Sequence, residues 1–129
     1  MVTGIYAGLC ALLMLALSWR VVKRRREAKI GLGTGGDVDL ERRVRAHANL
    51  LEYAPLALLL LLVLELSGGS AALVHALGTL LLVSRVIHAM GLTTSSGYSF
   101  GRFYGTLGTW IAIVVLAVLV IARGVMAIT

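Results

Sequence analysis

The sequence predicts an all-α integral membrane protein, folded as a bundle of four transmembrane helices. Three observations support this class. Hydrophobic residues make up 59% of the 129 residues and charged residues only 14%, and the mean hydropathy is +0.94. A soluble domain of this length has too little interior to hide so much apolar surface. The apolar residues also fall into four runs of about 20 residues, the length that crosses a hydrocarbon core.

The first span is predicted at about residues 4–22 and is expected to stay in the mature protein. No Lys or Arg precedes it and its positive charges follow it, unlike a cleaved signal peptide. Gly4 and Gly8 form an edge of small residues, and Trp19 lies near an end, where aromatic anchors are common. Cys10 is the single cysteine, so it forms no internal disulfide and is expected to be a packing residue.

The loop that follows begins with Lys-Arg-Arg-Arg and continues into a glycine run at residues 31–36. The glycines indicate a flexible connector rather than a phosphate-binding loop, because no strand precedes them. Asp37 or Asp39 is predicted to cap the second helix. The second span, about residues 44–66, contains the only proline, Pro55, which is expected to kink it.

Residues 67–70 predict a short turn, so the second and third spans should be antiparallel neighbours. The third span is predicted at about residues 71–92 and the fourth at about 101–122. Gly97, Gly101 and Gly105 are spaced by four, which predicts a smooth strip for another helix. With no internal repeat, we expect a single domain over residues 1–129.

Charge predicts the orientation in the membrane. Eleven of the twelve lysines and arginines lie in or beside the first loop and the third linker, and only Arg123 does not. The positive-inside rule therefore places the basic loops in the cytoplasm and both termini outside. On the outer side, Glu65 is expected to be a solvated helix end and His75 an interfacial residue.

The most informative stretch is a polar stripe at the start of the second span. Arg45, Asn49 and Glu52 follow helical spacing on one face, and Glu52 lies about 10 Å deeper than Arg45. A guanidinium, an amide and a carboxylate suit a zwitterionic ligand. An ion-pair network that ties helices together is an equally good interpretation.

Other polar residues lie at the same predicted membrane face. Arg85 and His88 are three residues apart at the end of the third span and would complete a pocket. Alternatively, Arg85 snorkels to the interface and His88 makes one structural hydrogen bond. His47 points to another face than Arg45, towards a neighbouring helix or subunit.

Arg102, in the first turn of the fourth span, suits a thiol ligand because a guanidinium stabilises a thiolate. Contact with a lipid phosphate is the alternative. The sequence offers no paired His or Cys at metal-ligand spacing and no base beside the linker serines, so neither a metal site nor a serine nucleophile is predicted. The excess of basic residues suits anionic lipids or an anionic ligand, not nucleic acid.

The run from Arg45 to Pro55, Arg-Ala-His-Ala-Asn-Leu-Leu-Glu-Tyr-Ala-Pro, resembles the second-helix signature of the MAPEG superfamily, the membrane-associated proteins in eicosanoid and glutathione metabolism. Four spans in 129 residues fit that family along the whole chain. The segments Arg85-Val-Ile-His88 and Ser-Phe-Gly-Arg102 are similar to bacterial members. The resemblance implies a homotrimer in a bacterial inner membrane, with glutathione bound as co-substrate between subunits at the cytoplasmic side.

The resemblance also implies roles for individual residues. Arg45, Asn49 and Glu52 would hold the glutathione backbone and its charged ends, and Arg102 matches the helix-four arginine that stabilises the thiolate. The implied glutathione-binding residues are Arg45, His47, Asn49, Glu52, Tyr53, Arg85 and His88, with Arg102 as the catalytic residue.

The function implied is that of a glutathione transferase or peroxidase acting on apolar electrophiles or lipid hydroperoxides from the bilayer. Eicosanoid-branch relatives carry a tyrosine where this chain has Leu92, which disfavours prostaglandin or leukotriene chemistry unless Tyr98 or Tyr104 substitutes. The expected partners are further copies of the chain, glutathione, and lipids or a lipophilic substrate. A non-catalytic trimeric scaffold and a lipid-binding or small transport protein are the alternatives.

Overall fold

The computed structural model describes residues 1–94 and 97–128, and the regular secondary structure of these residues is entirely α-helical. Its helices are α1 (Thr3–Ala28), α2 (Val38–Leu66), α3 (Ala71–Thr94) and α4 (Phe100–Met126). By length and composition, all four are long and apolar enough to cross a membrane. The predicted class, an all-α protein with four transmembrane helices, is confirmed.

Helix α1 runs six residues past the predicted span end at residue 22 and takes in the arginines that the sequence placed in a loop. Arg25 and Arg26 lie in its last turn, where cations are favoured by the unpaired carbonyl groups of the helix end. The helix stops at Lys29, whose left-handed backbone (φ 56°) turns its N–H back to the Arg26 carbonyl. Its 26 residues measure about 39 Å at about 1.5 Å per residue.

Helix α2 begins at the cap that the sequence predicted. Asp37 Oδ1 accepts the backbone N–H of Leu40 at 2.8 Å, and Arg24 Nη2 donates to Asp37 Oδ2 at 2.6 Å. The Leu40 N–H, followed by the Arg24 guanidinium, lowers the pKa of the Asp37 carboxyl below its ordinary value. Asp39 has a different role and pairs with Arg43 Nη2 at 2.9 Å. Pro55 lies inside α2, which continues to Leu66.

Helices α3 and α4 approach each other through glycines. A Cβ added at Gly105 would lie 2.6 Å from His88 Cβ, and one added at Gly101 would lie 2.8 Å from the Ile87 carbonyl oxygen. The predicted smooth strip is therefore confirmed at Gly101 and Gly105. Gly97 is not part of it, because it precedes α4 and is exposed.

At the opposite end of the bundle, Glu65 was predicted to be a solvated helix end, and this was wrong. Its carboxylate accepts the backbone N–H groups of Val2 at 2.5 Å and Thr3 at 2.8 Å. Val2 is the N-cap of α1 and Thr3 is its first residue, and no N-cap side chain caps this end of the helix. The exposed His75 on α3 contacts α1 through Nδ1, which lies 2.9 Å from the Tyr6 hydroxyl.

The core consists of Tyr6 together with small and aliphatic side chains. Large apolar residues cover the outside, as expected of a surface that faces lipid. Cys10 is buried, in agreement with its predicted packing role. The buried core residues are Tyr6, Leu61, Leu64, Val74, Leu77 and Leu116 near one end, Ala57, Leu81 and Ala112 in the middle, and Leu17, Ala46, Leu50, Ala54, Ala89 and Leu92 near the other.

Candidate functional site

The polar stripe of α2 forms one connected set of side chains. Arg45 Nη1 lies 3.5 Å from Glu52 Oε1, and Asn49 Nδ2 lies 3.5 Å from Glu52 Oε2. The side chains of Arg45 and Glu52 are 55% and 48% exposed. The predicted shared face is therefore present, and both charged groups remain accessible to a ligand or to another subunit.

Arg85 is the most unusual residue near this stripe, because its charged side chain is only 2% exposed. Nη1 donates to Asn49 Oδ1 at 2.6 Å and Nη2 donates to the Gly105 carbonyl at 3.0 Å. The guanidinium carbon lies 5.5 Å from the centre of the Tyr53 ring, a cation–π contact. Arg85 therefore does not snorkel to the interface, and it joins α3 to both α2 and α4.

The contact with Arg85 fixes what Asn49 offers to its surroundings. A guanidinium has only donors, so it must meet the amide oxygen. The Asn49 NH₂ group is left to face Glu52 on the other side. Arg85 Nε is buried without a hydrogen-bond partner among the described residues, and such an unsatisfied buried donor is unusual in a folded protein.

Arg102 lies in the first turn of α4, close to the end of α3. The Ser99 hydroxyl caps this helix by accepting the backbone N–H of Arg102 at 3.2 Å. Arg102 Nη1 donates to the Gly97 carbonyl at 2.6 Å. A Cβ added at Gly91 would lie 2.6 Å from the Arg102 nitrogen, so the small residue on α3 lets Arg102 come close to the His88 side of that helix.

A groove of about 590 Å³ brings several predicted residues together: Asn49, Tyr53, His88 and Arg102 all line it. Arg45, His47, Glu52 and Arg85 do not. Arg85 is buried behind Asn49, and Glu52 lines an adjoining cavity of about 320 Å³ that shares Tyr53 and Trp110 with the groove. His47 is half-buried on another face of α2. The lining residues that sequence reasoning missed are Gly97, Ser99, Phe103, Thr106, Leu107 and Trp110.

Three of the missed residues, Phe103, Leu107 and Trp110, form the apolar wall of the groove. Phe103, Leu107 and Trp110 recur at helical spacing on α4, which is a signal visible in the sequence. That pattern is also typical of any lipid-facing helix, so it does not single out a site. Tyr98, which the sequence could not place, lines the groove. Tyr104 instead packs against Phe100, with ring centres 4.2 Å apart and the ring planes tilted by 41°. Leu92 is a buried core residue.

The described part of the chain contains no cluster of side chains that could bind a metal ion. No group of three or more His, Cys, Asp or Glu side chains in residues 1–94 and 97–128 is arranged to hold a metal ion. What the groove offers instead is an amide, an imidazole and a guanidinium beside an aromatic wall. This combination suits an anionic or thiol-bearing ligand together with an apolar one.

Comparison with known proteins places this arrangement among membrane proteins. The profile of the MAPEG family matches residues 3–122. The inner membrane protein YecN of Escherichia coli strain K12 is 38% identical over 91 residues, which are 70% of each chain. YecN of Escherichia coli O6:H1 strain CFT073 matches with the same identity and coverage.

Proposed function

The chain belongs to the MAPEG family, and from this membership we propose that it is a membrane-bound glutathione-dependent transferase or peroxidase. Its second substrate is an apolar electrophile or a lipid hydroperoxide that arrives through the bilayer. The observation that best supports this is the single groove in which Asn49, His88 and Arg102 face an aromatic wall. Its volume, about 590 Å³, falls within the roughly 300–1,000 Å³ of small-molecule sites.

Glutathione carries two carboxylates, an ammonium group and a thiol, and the site offers a counterpart for each. Arg45 suits a carboxylate, and Glu52 suits the ammonium group. The Asn49 NH₂ group, held outward by Arg85, suits a carbonyl or carboxylate oxygen of the peptide. In this proposal Arg85 positions Asn49 and does not touch the ligand, while Tyr53 and His88 line the pocket beside it.

In this proposal, Arg102 stabilises the thiolate of glutathione. A free thiol has a pKa of about 8.5, and an adjacent guanidinium lowers it, so that more glutathione is present as the nucleophilic thiolate. The apolar wall formed by Phe103, Leu107 and Trp110 excludes water and strengthens this charge interaction. The same wall holds the apolar co-substrate next to the sulfur.

Two reactions follow from a bound thiolate. In a transfer, the thiolate sulfur forms a bond to an electrophilic carbon. In a substitution, the bond to the leaving group breaks and the leaving group takes its electron pair. In an addition to a double bond, the π electron pair moves to the neighbouring carbon, which is then protonated. In a peroxidase reaction, the thiolate attacks the outer oxygen of the hydroperoxide and the O–O bond breaks to give an alcohol after protonation. The resulting sulfenic acid of glutathione then condenses with a second glutathione to give the disulfide and water.

The proposed active unit is a homotrimer. Glu52 is separated from Leu66, the last residue of α2, by 14 positions, or about 21 Å, within a hydrocarbon core of about 30 Å. An ionisable group at this depth cannot face lipid without large cost, and Glu52 is 48% exposed in one subunit. A neighbouring subunit over Arg45 and Glu52 covers these charges and closes the site.

The proposed location is a bacterial inner membrane, as in the name of the Escherichia coli relative. The basic loop between α1 and α2 and the glutathione groove then face the cytoplasm. Both termini and the turn between α2 and α3 lie on the outer side. This orientation places the thiol site in the compartment that keeps thiols reduced.

The test is to add glutathione to the purified detergent-solubilised protein and follow the ultraviolet absorbance band of a thiolate. We expect the band at neutral pH in the wild type and in Arg20→Ala, an exposed cation outside the groove. We expect its loss in Arg102→Ala and its partial return in Arg102→Lys. A band that persists in Arg102→Ala would refute the role of Arg102.

Thermal unfolding separates the alternatives. Glutathione should raise the melting temperature by preferential binding to the folded state. A non-catalytic scaffold would show no such increase. A lipid-binding protein would be stabilised by lipid, and glutathione would not displace that lipid.

A further inference from the structure

The short segment before α4 is held in place at the rim of the groove. Arg102 Nη1 donates to the Gly97 carbonyl at 2.6 Å. The Ser99 hydroxyl accepts the backbone N–H of Arg102 and donates to the Gly91 carbonyl of α3, each at 3.2 Å. These bonds fix the backbone on both sides of Tyr98, so this residue keeps a defined position beside Arg102.

Tyr98 borders both the groove and the exposed surface at its rim. It lines the groove together with His88 and Arg102. Its ring packs against Phe103, with ring centres 6.3 Å apart and the ring planes tilted by 42°. Tyr98 is 79% exposed, more than any other of the four tyrosines of the chain. A phenol at this place is therefore available to a molecule in the groove and to water.

Other groove residues carry protons, but each is less suited to give one up in every turnover. Ser99 and Thr106 are aliphatic alcohols and therefore weaker acids than a phenol. Tyr53 is only partly exposed, and its ring lies 5.5 Å from the Arg85 guanidinium carbon. His88 is 6% exposed, so it regains a proton from water less readily. Because an acid must be reprotonated after each turnover, the exposure of Tyr98 favours it over these residues.

We propose that Tyr98 is the catalytic acid that protonates the leaving oxygen in hydroperoxide reduction, an inference that rests on the glutathione-dependent function proposed above. The thiolate sulfur forms a bond to the terminal oxygen of the hydroperoxide, and the O–O bond breaks with its electron pair on the departing alkoxide. The Tyr98 hydroxyl gives its proton to this alkoxide, which becomes the alcohol. The phenolate then takes a proton from water at the rim. A positioned acid of this kind accelerates a reaction by about 100–10,000-fold.

This role separates the two reactions that share the thiolate. An alkoxide is strongly basic, so its departure is assisted by a proton donor. Chloride leaving an aromatic ring is stable as an anion and needs no proton. Arg102 therefore serves both reactions, whereas Tyr98 serves only the one in which a basic oxygen leaves.

The test compares two substrates in Tyr98→Phe, which keeps the ring that packs against Phe103 and removes only the hydroxyl. The full-length, detergent-solubilised protein is assayed at saturating glutathione with cumene hydroperoxide and, separately, with 1-chloro-2,4-dinitrobenzene. We expect Tyr98→Phe to reduce cumene hydroperoxide about 100-fold more slowly than the wild type. Its rate with 1-chloro-2,4-dinitrobenzene and its thiolate absorbance band should equal those of the wild type.

The matched control is Tyr104→Phe. It removes the same hydroxyl from another exposed tyrosine, which packs against Phe100 and does not line the groove, and it should keep both rates. A second readout uses a series of hydroperoxides whose leaving alcohols differ in acidity. The rate should fall more steeply with the basicity of the leaving oxygen in Tyr98→Phe, because without the acid that oxygen carries more negative charge in the transition state.

Several results would overturn the role of Tyr98. An equal fall in both rates, or loss of the thiolate band, would mean that Tyr98 only shapes the groove or holds glutathione. An unchanged rate with cumene hydroperoxide would mean that another group supplies the proton. A wild type that conjugates glutathione but reduces no hydroperoxide would overturn this inference and leave the transferase proposal standing. A wild type without thiolate band or turnover would instead refute the proposed function itself.

Discussion

Arg85 Nη1 donates a 2.6 Å hydrogen bond to Asn49 Oδ1, so a buried charged side chain of α3 ends on the polar stripe of α2. The bond holds two helices together and also determines which end of the Asn49 amide is available. The contact therefore combines a structural role with the binding role proposed for Asn49. A substitution of either residue therefore changes both the packing of α2 against α3 and the groups that Asn49 exposes.

A double-mutant cycle measures the coupling between these residues. We expect Asn49→Leu to destabilise the protein because it leaves the buried Arg85 without its nearest acceptor. In Arg85→Met the same Asn49 change should cost much less. The coupling free energy should be about 1.5–3 kcal/mol, as for a hydrogen bond to a charged group. It is measured by reversible unfolding in mixed micelles, and additivity within about 0.5 kcal/mol would contradict the contact.

Gly105→Ala tests the close approach of α3 and α4. The new Cβ would lie 2.6 Å from His88 Cβ and 2.7 Å from the Ser84 carbonyl oxygen, so backbone has to move. We expect a loss of about 1–3 kcal/mol of unfolding free energy and weaker glutathione binding, because His88 is displaced relative to Arg102. Gly8→Ala is the matched control. Nothing lies within 4 Å of its added Cβ, and it should be neutral or slightly stabilising.

The ion pair between Arg24 of α1 and Asp37, the cap of α2, should weaken at acid pH. Its folded-state pKa lies below the unfolded value, so the carboxylate contributes stability above the unfolded pKa of about 4. That contribution is lost as pH falls through the lower folded pKa. Asp37→Asn keeps a capping side chain but removes the charge that pairs with Arg24. Melting temperatures measured from pH 7 to pH 3 should fall less steeply in Asp37→Asn, and parallel curves would contradict this role.

Cysteine labelling in a Cys10→Ala background tests the proposed orientation. Leu32 is almost fully exposed in the loop between α1 and α2, and Ser67 is exposed just after α2. We expect an impermeant maleimide to label Ser67→Cys in intact spheroplasts. Leu32→Cys should react only after the membrane is opened. The reverse pattern would place the basic loop and the groove on the outer side.

The sequence was sufficient for features that depend on local spacing. The four helices, the Asp37 cap and the contact surface of Gly101 and Gly105 all follow from periodicity or from turn chemistry. The same spacing put Arg45, Asn49 and Glu52 on one face. The roles assigned to these side chains in glutathione binding remain predictions.

Contacts between residues far apart in the sequence could not be predicted from local spacing. Arg85 and Asn49 are 36 residues apart, and Glu65 is 63 residues from Val2. No local pattern encodes which carbonyl or amide a buried guanidinium will meet after the helices pack. For the same reason, a helix-end carboxylate that looked solvated turned out to satisfy the first N–H groups of another helix.

The contacts near both ends of α1 limit how this helix can move relative to α2. Glu65 holds its first turn, and at the other end Arg24 and the Arg20 carbonyl bind Asp37 and Arg43. Because α1 is bonded to α2 or to the α2 cap near both of its ends, it cannot shift or rotate relative to α2 without breaking several of these hydrogen bonds and ion pairs. Helices α1 and α2 thus form one stiff pair, and the glycine-mediated seam makes α3 and α4 another. Arg85, which donates to Asn49 on α2 and to the Gly105 carbonyl on α4, connects the two pairs.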